Sequence, residues 1–503
     1  EKGRRGDKTK QGYYKKDGKT IQSLDLETGE YRARIEPDIP SVAEASKIRS
    51  LPERLKFVLQ QQDKAGAMAR HLVYNSLGYA SRRVPEISDD IASIDRAVRW
   101  GFSHDLGPFE LWDALGVKET AEAMEANGVA VAQWVWDMLA AGHATFYREH
   151  DAVRSGYDPA TKTYVPLSVD PKTIVLADLK KAGRVVKENK GASLIDLGDG
   201  VLCLEFHTKM NTLDENIRAM LVEAVDEVER GDWKGLVIGN DGGDFCVGAN
   251  LASSFNDGGA SIERAVKGTQ DALMKVRYCA KPVVTAPFGR TLGGGAEVAM
   301  GGARIVAASE TYMGLVEVGV GLIPGAGGCK EMVRRVVSPP QKQTSVDVVP
   351  FLQNVLQTVG MAKVSSSAEE ARSLGFLTIA DRVVMNRDHL LYEAKQEVLV
   401  LDADGYAPPV REKNCYAAGR DARAALRAAI HNLQQGGYAS EYDAYISGQL
   451  AHILCGGALS SAQWIDEQVL LDLEREVFVE LASQPKTIER IQHMLSTGKP
   501  LRN

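Results

Sequence analysis

Two glutamates stand in surroundings that would make their carboxyl groups useful acids or bases. Glu297 follows Gly293, Gly294 and Gly295 and sits in the small, apolar run Ala296-Glu297-Val298-Ala299-Met300. Glu317 sits in Leu315-Val316-Glu317-Val318-Gly319-Val320. An apolar setting strips hydration from a carboxylate and lifts its pKa from about 4.3 towards neutrality, where proton transfer at neutral pH works best. Each residue also has an ordinary reading. Glu297 could complement a helix dipole, and Glu317 could pair with a base such as Arg304. Two carboxyl groups whose pKa values are held apart could instead flank one water and divide the work between an acid and a base.

The elements around them must create that setting. Three consecutive glycines suit a tight turn in which a ligand approaches the backbone closely. The run after them has the composition of a buried helix, whose first N–H groups would be free to face an anion.

Gly-rich LGGGAEVAM followed by MGLVEVGVGLIPGAGG resembles the crotonase, or enoyl-CoA hydratase/isomerase, superfamily. The resemblance extends upstream through KPVVTAPFGRTLGGG (Lys281 to Gly295), GLVIGNDGGDFCVGANL (Gly235 to Leu251) and CLEFHTKMNTL (Cys203 to Leu213). Four blocks in the family's order, from about Ser193 to Val336, make it specific. The resemblance implies an α/β fold, a spiral of repeated ββα units with a helical C-terminal region. It implies syn hydration of a 2,3-enoyl-CoA, with Glu317 exchanging the C2 proton and Glu297 holding and activating the water. The enolate oxygen would be met by the backbone N–H groups of Ala249 and Gly294. Lys209, Met210, Val247 and Gly293 fall at positions that would contact substrate or CoA. His207 reads as a turn residue and Cys246 as a small packing residue. Asn250 stands where many relatives carry Asp, and HTKMNTL departs from the more usual Lys-Ala-Leu-Asn pattern.

The same motifs leave other readings open: Δ3,Δ2-enoyl-CoA isomerisation, thioester hydrolysis, or a scaffold that binds acyl-CoA without turnover. Hydration requires no metal or redox cofactor, since CoA arrives with the substrate. A homo-oligomer is also expected, and scattered cysteines suit a cytoplasmic location.

A second resemblance lies earlier. LPERLKFVLQQQDKAGAMARHLVYNSLGYASRR has apolar residues at helical spacing, and SDDIASIDRAVRWGF opens on an N-cap arrangement. Pro108 is placed for the first turn of another helix. Ile91 to Gly116 resembles the second helical domain of 3-hydroxyacyl-CoA dehydrogenases, an all-α unit. GDKTKQGYYKK resembles the segment closing that family's first helical domain, so most of that domain and the NAD-binding domain are expected upstream of residue 1. NAD would then serve only a longer parent chain. Residues 1–190 contain no strand followed by GxGxxG. Gly325-Ala326-Gly327-Gly328 lacks the last glycine at the required offset. Gly12 and Gly18-Lys19-Thr20 imitate a phosphate loop, but five residues separate the glycines where four are needed.

These readings divide the chain into a charged segment 1–47, a helical domain 48–150, a linker 151–192, a crotonase core 193–345 and a helical region 346–503. The 503 residues carry a net charge of −7 and no basic run with interleaved aromatics, which argues against nucleic acid. No apolar run reaches the roughly 18 residues of a membrane helix. The six cysteines form no CxxC pair, so reduced thiols are expected rather than a zinc site.

Overall fold

A computed structural model describes residues 3–18, 20–35, 37–150, 153–168, 170–250 and 259–503. Lys19 of the imitation phosphate loop and Leu251 of the CVGANL block lie outside the described residues. The chain divides into two compact units, Glu1–Ser168 and Val169–Asn503.

The first unit is helical at its centre. Helices Leu51–Gln60, Lys64–Arg82, Ile91–Phe102, Pro108–Leu115, Val117–Ala126 and Gln133–Ala140 enclose Leu77, Phe109, Trp112, Met124, Met138 and Phe146. Phe109 and Phe146 meet edge to face, with centroids 5.0 Å apart, a favoured aromatic geometry. As the sequence suggests, Asp90 caps the third helix by accepting from the Ser93 N–H, and Pro108 occupies the first turn of the fourth.

One buried carboxylate organises this unit. Asp95 accepts from the Phe109 N–H at 2.8 Å, the Glu110 N–H at 3.0 Å and the Tyr147 hydroxyl at 2.7 Å. Gly107 passes so close that a Cβ there would lie 2.3 Å from the Asp95 Cβ. Asp95→Ala strands two helix N–H groups and a tyrosine hydroxyl in a dry setting, where an unmade bond costs more than a made one contributes. The expected loss is roughly 3 kcal/mol, read as an earlier urea midpoint for this unit. Exposed Asp105→Ala should leave that midpoint in place.

Two stretches carry more regular structure than their sequence suggests. Within 1–47, strands Tyr14–Asp17, Thr20–Leu24 and Tyr31–Ala33 form an antiparallel meander. Within 151–192, read as a linker, Val153–Asp158 pairs with Tyr147–His150 on one side and with Thr163–Pro166 on the other. A helix, Leu176–Lys181, and a strand, Val185–Glu188, follow in the second unit. The proline Pro166 ends an edge strand, where a missing N–H costs no ladder bond.

The second unit is built on a seven-stranded sheet. From one edge its strands are Arg382–Val384, Arg304–Ala308, Val283–Thr285, Gly235–Ile238, Val201–Phe206, Ala192–Asp196 and Val185–Glu188. The first five run parallel and the last two turn back antiparallel. Every residue of Val201–Phe206 and Gly235–Ile238 is buried, as expected of parallel strands covered on both faces. Helix Glu215–Arg230 packs on the strands around Val201–Phe206, and helix Leu390–Ala403 packs on Gly235–Ile238, Val283–Thr285 and Arg304–Ala308. The expected hairpin at Gly198-Asp199-Gly200 is present, with all three residues at positive φ. The repeated strand–strand–helix units expected of the crotonase spiral are therefore in place, with a second two-stranded parallel sheet of Gly289–Leu292 and Thr311–Gly314.

Among the described residues no helix is long and apolar enough to cross a membrane, and no group of His, Cys, Asp and Glu could hold a metal ion. The six cysteines are free and buried.

Candidate active site

Three neighbouring parallel strands release their chains at the same end of the sheet, where α/β folds place their ligands. After Val201–Phe206 comes the turn bearing Lys209 and Met210. After Gly235–Ile238 comes the loop bearing Val247, Gly248 and Ala249. After Val283–Thr285 the chain reaches Gly289–Leu292, Gly293 and helix Gly294–Gly301. Backbone bonds tie these loops to one another. The Leu213 N–H donates to Gly248 O, the Val247 N–H to Met210 O, and the Leu292 N–H to Cys246 O.

The glycines fulfil a steric requirement here. Gly293 has φ 54° and ψ −124°, and a Cβ there would lie 3.1 Å from Glu317 Oε1. Gly295 packs so tightly that its Cβ would fall 2.2 Å from Cys246 O. The backbone turn into the helix therefore lies directly against the loop carrying Ala249. A Cβ on Gly294 would be 3.6 Å from the Ala249 N and 3.8 Å from Glu297 Oε2. Neither the Ala249 N–H nor the Gly294 N–H has a backbone acceptor among the described residues, and Gly294 begins its helix, where an N–H has no intrahelical partner. Two N–H groups without a backbone acceptor among the described residues thus border one small space with a carboxylate oxygen at its edge.

Glu297 is 4% exposed in a helix whose every residue is buried. Its Oε1 accepts from the Ala326 N–H at 2.8 Å and the Gly328 N–H at 2.7 Å. Burial pushes its carboxyl up to about 7, opposed by those two N–H donors and by Lys330. Glu317 begins the short turn Glu317–Val320 and is half-buried. Its Oε2 is sealed from solvent with no hydrogen-bond partner. Burial first, and the charge on Glu297 second, raise its carboxyl well above the ordinary range. The pair therefore holds one proton readily, with Glu317 the protonated member and Glu297 the one that ionises near neutrality. Among the described residues Glu317 makes no ion pair to Arg304, whose Nη1 donates instead to Ala303 O.

The remaining sequence candidates are placed as follows. Lys209 and Met210 are exposed at the turn's surface, Met210 in the left-handed region at φ 57°. Val247 is half-buried beside Met210. His207 Nε2 lies 3.1 Å from Ser193 Oγ, in keeping with a turn residue. Cys246 is fully buried and its thiol is pushed up to about 12 by that burial, so it stays protonated and packs.

Sequence reasoning missed the C-terminal residues that brace this site. Thr487 Oγ1 donates to Gly321 O at 2.7 Å, and fully buried Arg490 donates to Val318 O, both just after Glu317. Glu474 is fully buried and accepts from the N–H groups of Gly327 at 2.8 Å and Lys330 at 2.6 Å. Burial, then the Glu297 charge, raises its carboxyl well above the ordinary range, opposed by the Lys330 and Gly327 N–H groups, which use both of its oxygens as acceptors. A signal existed: Glu474 lies on the same helical stripe as Leu470, Leu471, Val477 and Leu481, where a charge is out of place.

Comparison with known proteins shows what the chain is similar to. Residues 197–343 match the family model described as Enoyl-CoA hydratase/isomerase. The chain is 42% identical over 507 residues to a probable 3-hydroxyacyl-CoA dehydrogenase of Bacillus subtilis, covering 100% of this chain and 63% of that one. It is 27% identical over 467 residues to a putative fatty acid oxidation complex trifunctional enzyme of Rickettsia felis, covering 90% of this chain and 56% of that one. Among solved structures, an enoyl-CoA hydratase of Mycobacterium avium subsp. paratuberculosis is 16% identical, with a TM-score of 0.41, and covers 63% of this chain and 100% of that one. The chain thus spans about three fifths of the length of the curated relatives named here. Residues 197–343 are thus similar to the enoyl-CoA hydratase/isomerase family, within a unit whose strands and helices follow the crotonase pattern.

Proposed function

We propose that the second unit hydrates 2-trans-enoyl-CoA to 3-hydroxyacyl-CoA by syn addition of water. The observation that carries this reading is the placement of two carboxyl groups, Glu297 buried and Glu317 half-buried, beside two backbone N–H groups that have no backbone acceptor among the described residues. The thioester oxygen is taken by the Ala249 and Gly294 N–H groups, which stabilise the charge it gains as C2 becomes nucleophilic. Ionised Glu297 removes a proton from the water that attacks C3. Glu317 gives its proton to C2. One water is consumed, and a proton passes back from Glu297 to Glu317 to complete the cycle. No metal or redox group enters these steps.

Lys209, Met210, Val247 and Gly293 belong to this reading as contacts to the acyl-CoA. A homo-oligomeric state belongs to it too, as does a cytoplasmic location, which suits the free cysteines. The relatives' names add a wider reading. A longer chain would also oxidise the 3-hydroxyacyl-CoA product with NAD, placing both steps in fatty-acid β-oxidation.

The test is hydration of crotonyl-CoA, followed by loss of the enoyl absorbance over a range of pH. Below about 7 Glu297 carries a proton and cannot accept another. The rate should therefore rise about tenfold per pH unit and level off near neutrality. At high pH it should fall again as the raised Glu317 carboxyl ionises. Both limbs belong to the pair as a whole. A wild-type protein that binds short and long enoyl-CoAs without consuming them would end the hydratase reading. Isomerisation without hydration, or release of free CoA, would redirect it to other chemistry on the same carboxylates.

A further inference from the structure

We infer that Glu474 is a positioning residue for Glu297, acting through the loop Gly325–Gly327 and the first turn of helix Gly328–Met332, whose N–H groups both carboxyl groups share; this rests on the proposed hydratase reading. The N–H groups of that segment alternate between the two. Ala326 and Gly328 donate to Glu297 Oε1, whereas Gly327 and Lys330 donate to Glu474. Such alternation needs neighbouring peptides to face opposite ways, and Gly327 supplies it at φ 117°, a region open to glycine. Glu474, 144 residues further along the chain than Lys330, reaches this segment from helix Glu467–Ala482.

A second side chain fixes the other end of the loop. Buried Gln270 donates through Nε2 to Gly325 O at 2.8 Å and to Leu471 O at 2.9 Å. Its Oε1 accepts from Arg475 Nη1 at 2.9 Å. The loop is thus held to the C-terminal helix at both ends, and the donors that orient Glu297 cannot move without breaking those ties. Ala249 and Gly294 make no backbone hydrogen bond to this segment among the described residues, so loss of the support should fall on Glu297 first.

Glu474→Gln keeps the shape but offers one acceptor oxygen and an amide donor. One of the two N–H groups would then face another donor, and the loop must yield. A carboxylate displaced by a fraction of an ångström loses reactivity more than binding, so kcat for crotonyl-CoA should fall about 10- to 100-fold with KM unchanged. Combined with Glu297→Gln, the same change should slow the residual rate no further, since the residue it positions is already disabled. Glu474→Asp, which keeps both acceptor oxygens, should recover part of the rate.

A kcat within twofold of wild type, or effects of Glu474→Gln and Glu297→Gln that multiply, would overturn the inference. Should Glu474→Gln not fold, Glu474→Asp decides: reduced kcat at unchanged KM supports it and full activity overturns it. If wild type hydrates nothing, the function reading fails on its own, and the coupling is then read from melting temperatures. Shifts of the two single Gln variants that add in the double variant would overturn the positioning role, and shifts that fail to add would sustain it.

Discussion

Glu317→Gln should lower crotonyl-CoA hydration by about 10³-fold or more, and Glu297→Gln by a similar factor. The amide at 317 fills the same space but has no transferable proton, so C2 must be protonated from elsewhere. At 297 the amide can still accept from the Ala326 and Gly328 N–H groups through its oxygen, and that leaves an NH₂ directed at the water it should deprotonate. A 10³-fold loss corresponds to about 4 kcal/mol of barrier. Neither change should cost much stability: Glu317 Oε2 has no hydrogen-bond partner among the described residues, and both N–H donors to Glu297 meet one oxygen that the amide retains. The two melting temperatures should stay close to wild type. Active variants would show that neither carboxyl group takes part in the chemistry, and the isomerase reading would be retained only if one of them alone proved essential.

The pair could be read from sequence because its setting is local. Glycines 293 to 295, the small residues after Glu297 and the apolar run around Glu317 each announce desolvation within a few positions of the carboxylate. The alternation of strand and helix from Ala192 to Ala308 was legible for the same reason, since Val201–Phe206 and Glu215–Arg230 carry the periods of a buried strand and an amphipathic helix. What could not be read is what the tail does. Glu474, Thr487 and Arg490 act on backbone groups more than 140 residues away, and no local pattern encodes such a partner. The meander between Tyr14 and Ala33 escaped for a different reason. Its strands are mostly exposed, so they lack the apolar alternation by which a strand announces itself. Residues 151–192 were masked by Pro159, Pro166 and Pro171, which read as breakers although Pro166 is harmless at a sheet edge.

The geometry around Gly294 makes a prediction that separates substrate placement from acid–base chemistry. Gly294→Ala should reduce hydration by about 10²–10³-fold, comparable to removing an oxyanion donor, while leaving the protonation behaviour of the two glutamates in place. The helix itself gains from the change, because alanine is the better helix former by about 1 kcal/mol. The new methyl, however, would lie 2.9 Å from Leu213 Cδ1, 3.6 Å from the Ala249 N and 3.8 Å from Glu297 Oε2. Leu213 can turn aside, whereas the backbone N and the buried carboxylate cannot. The methyl therefore occupies the space in which the thioester oxygen must reach both N–H groups. A folded protein with an unchanged pH profile and a rate reduced by that factor is the expected result. Wild-type kinetics in this variant would mean that the acyl oxygen binds elsewhere, and the assignment of the two donors would have to be withdrawn even if both glutamates proved essential.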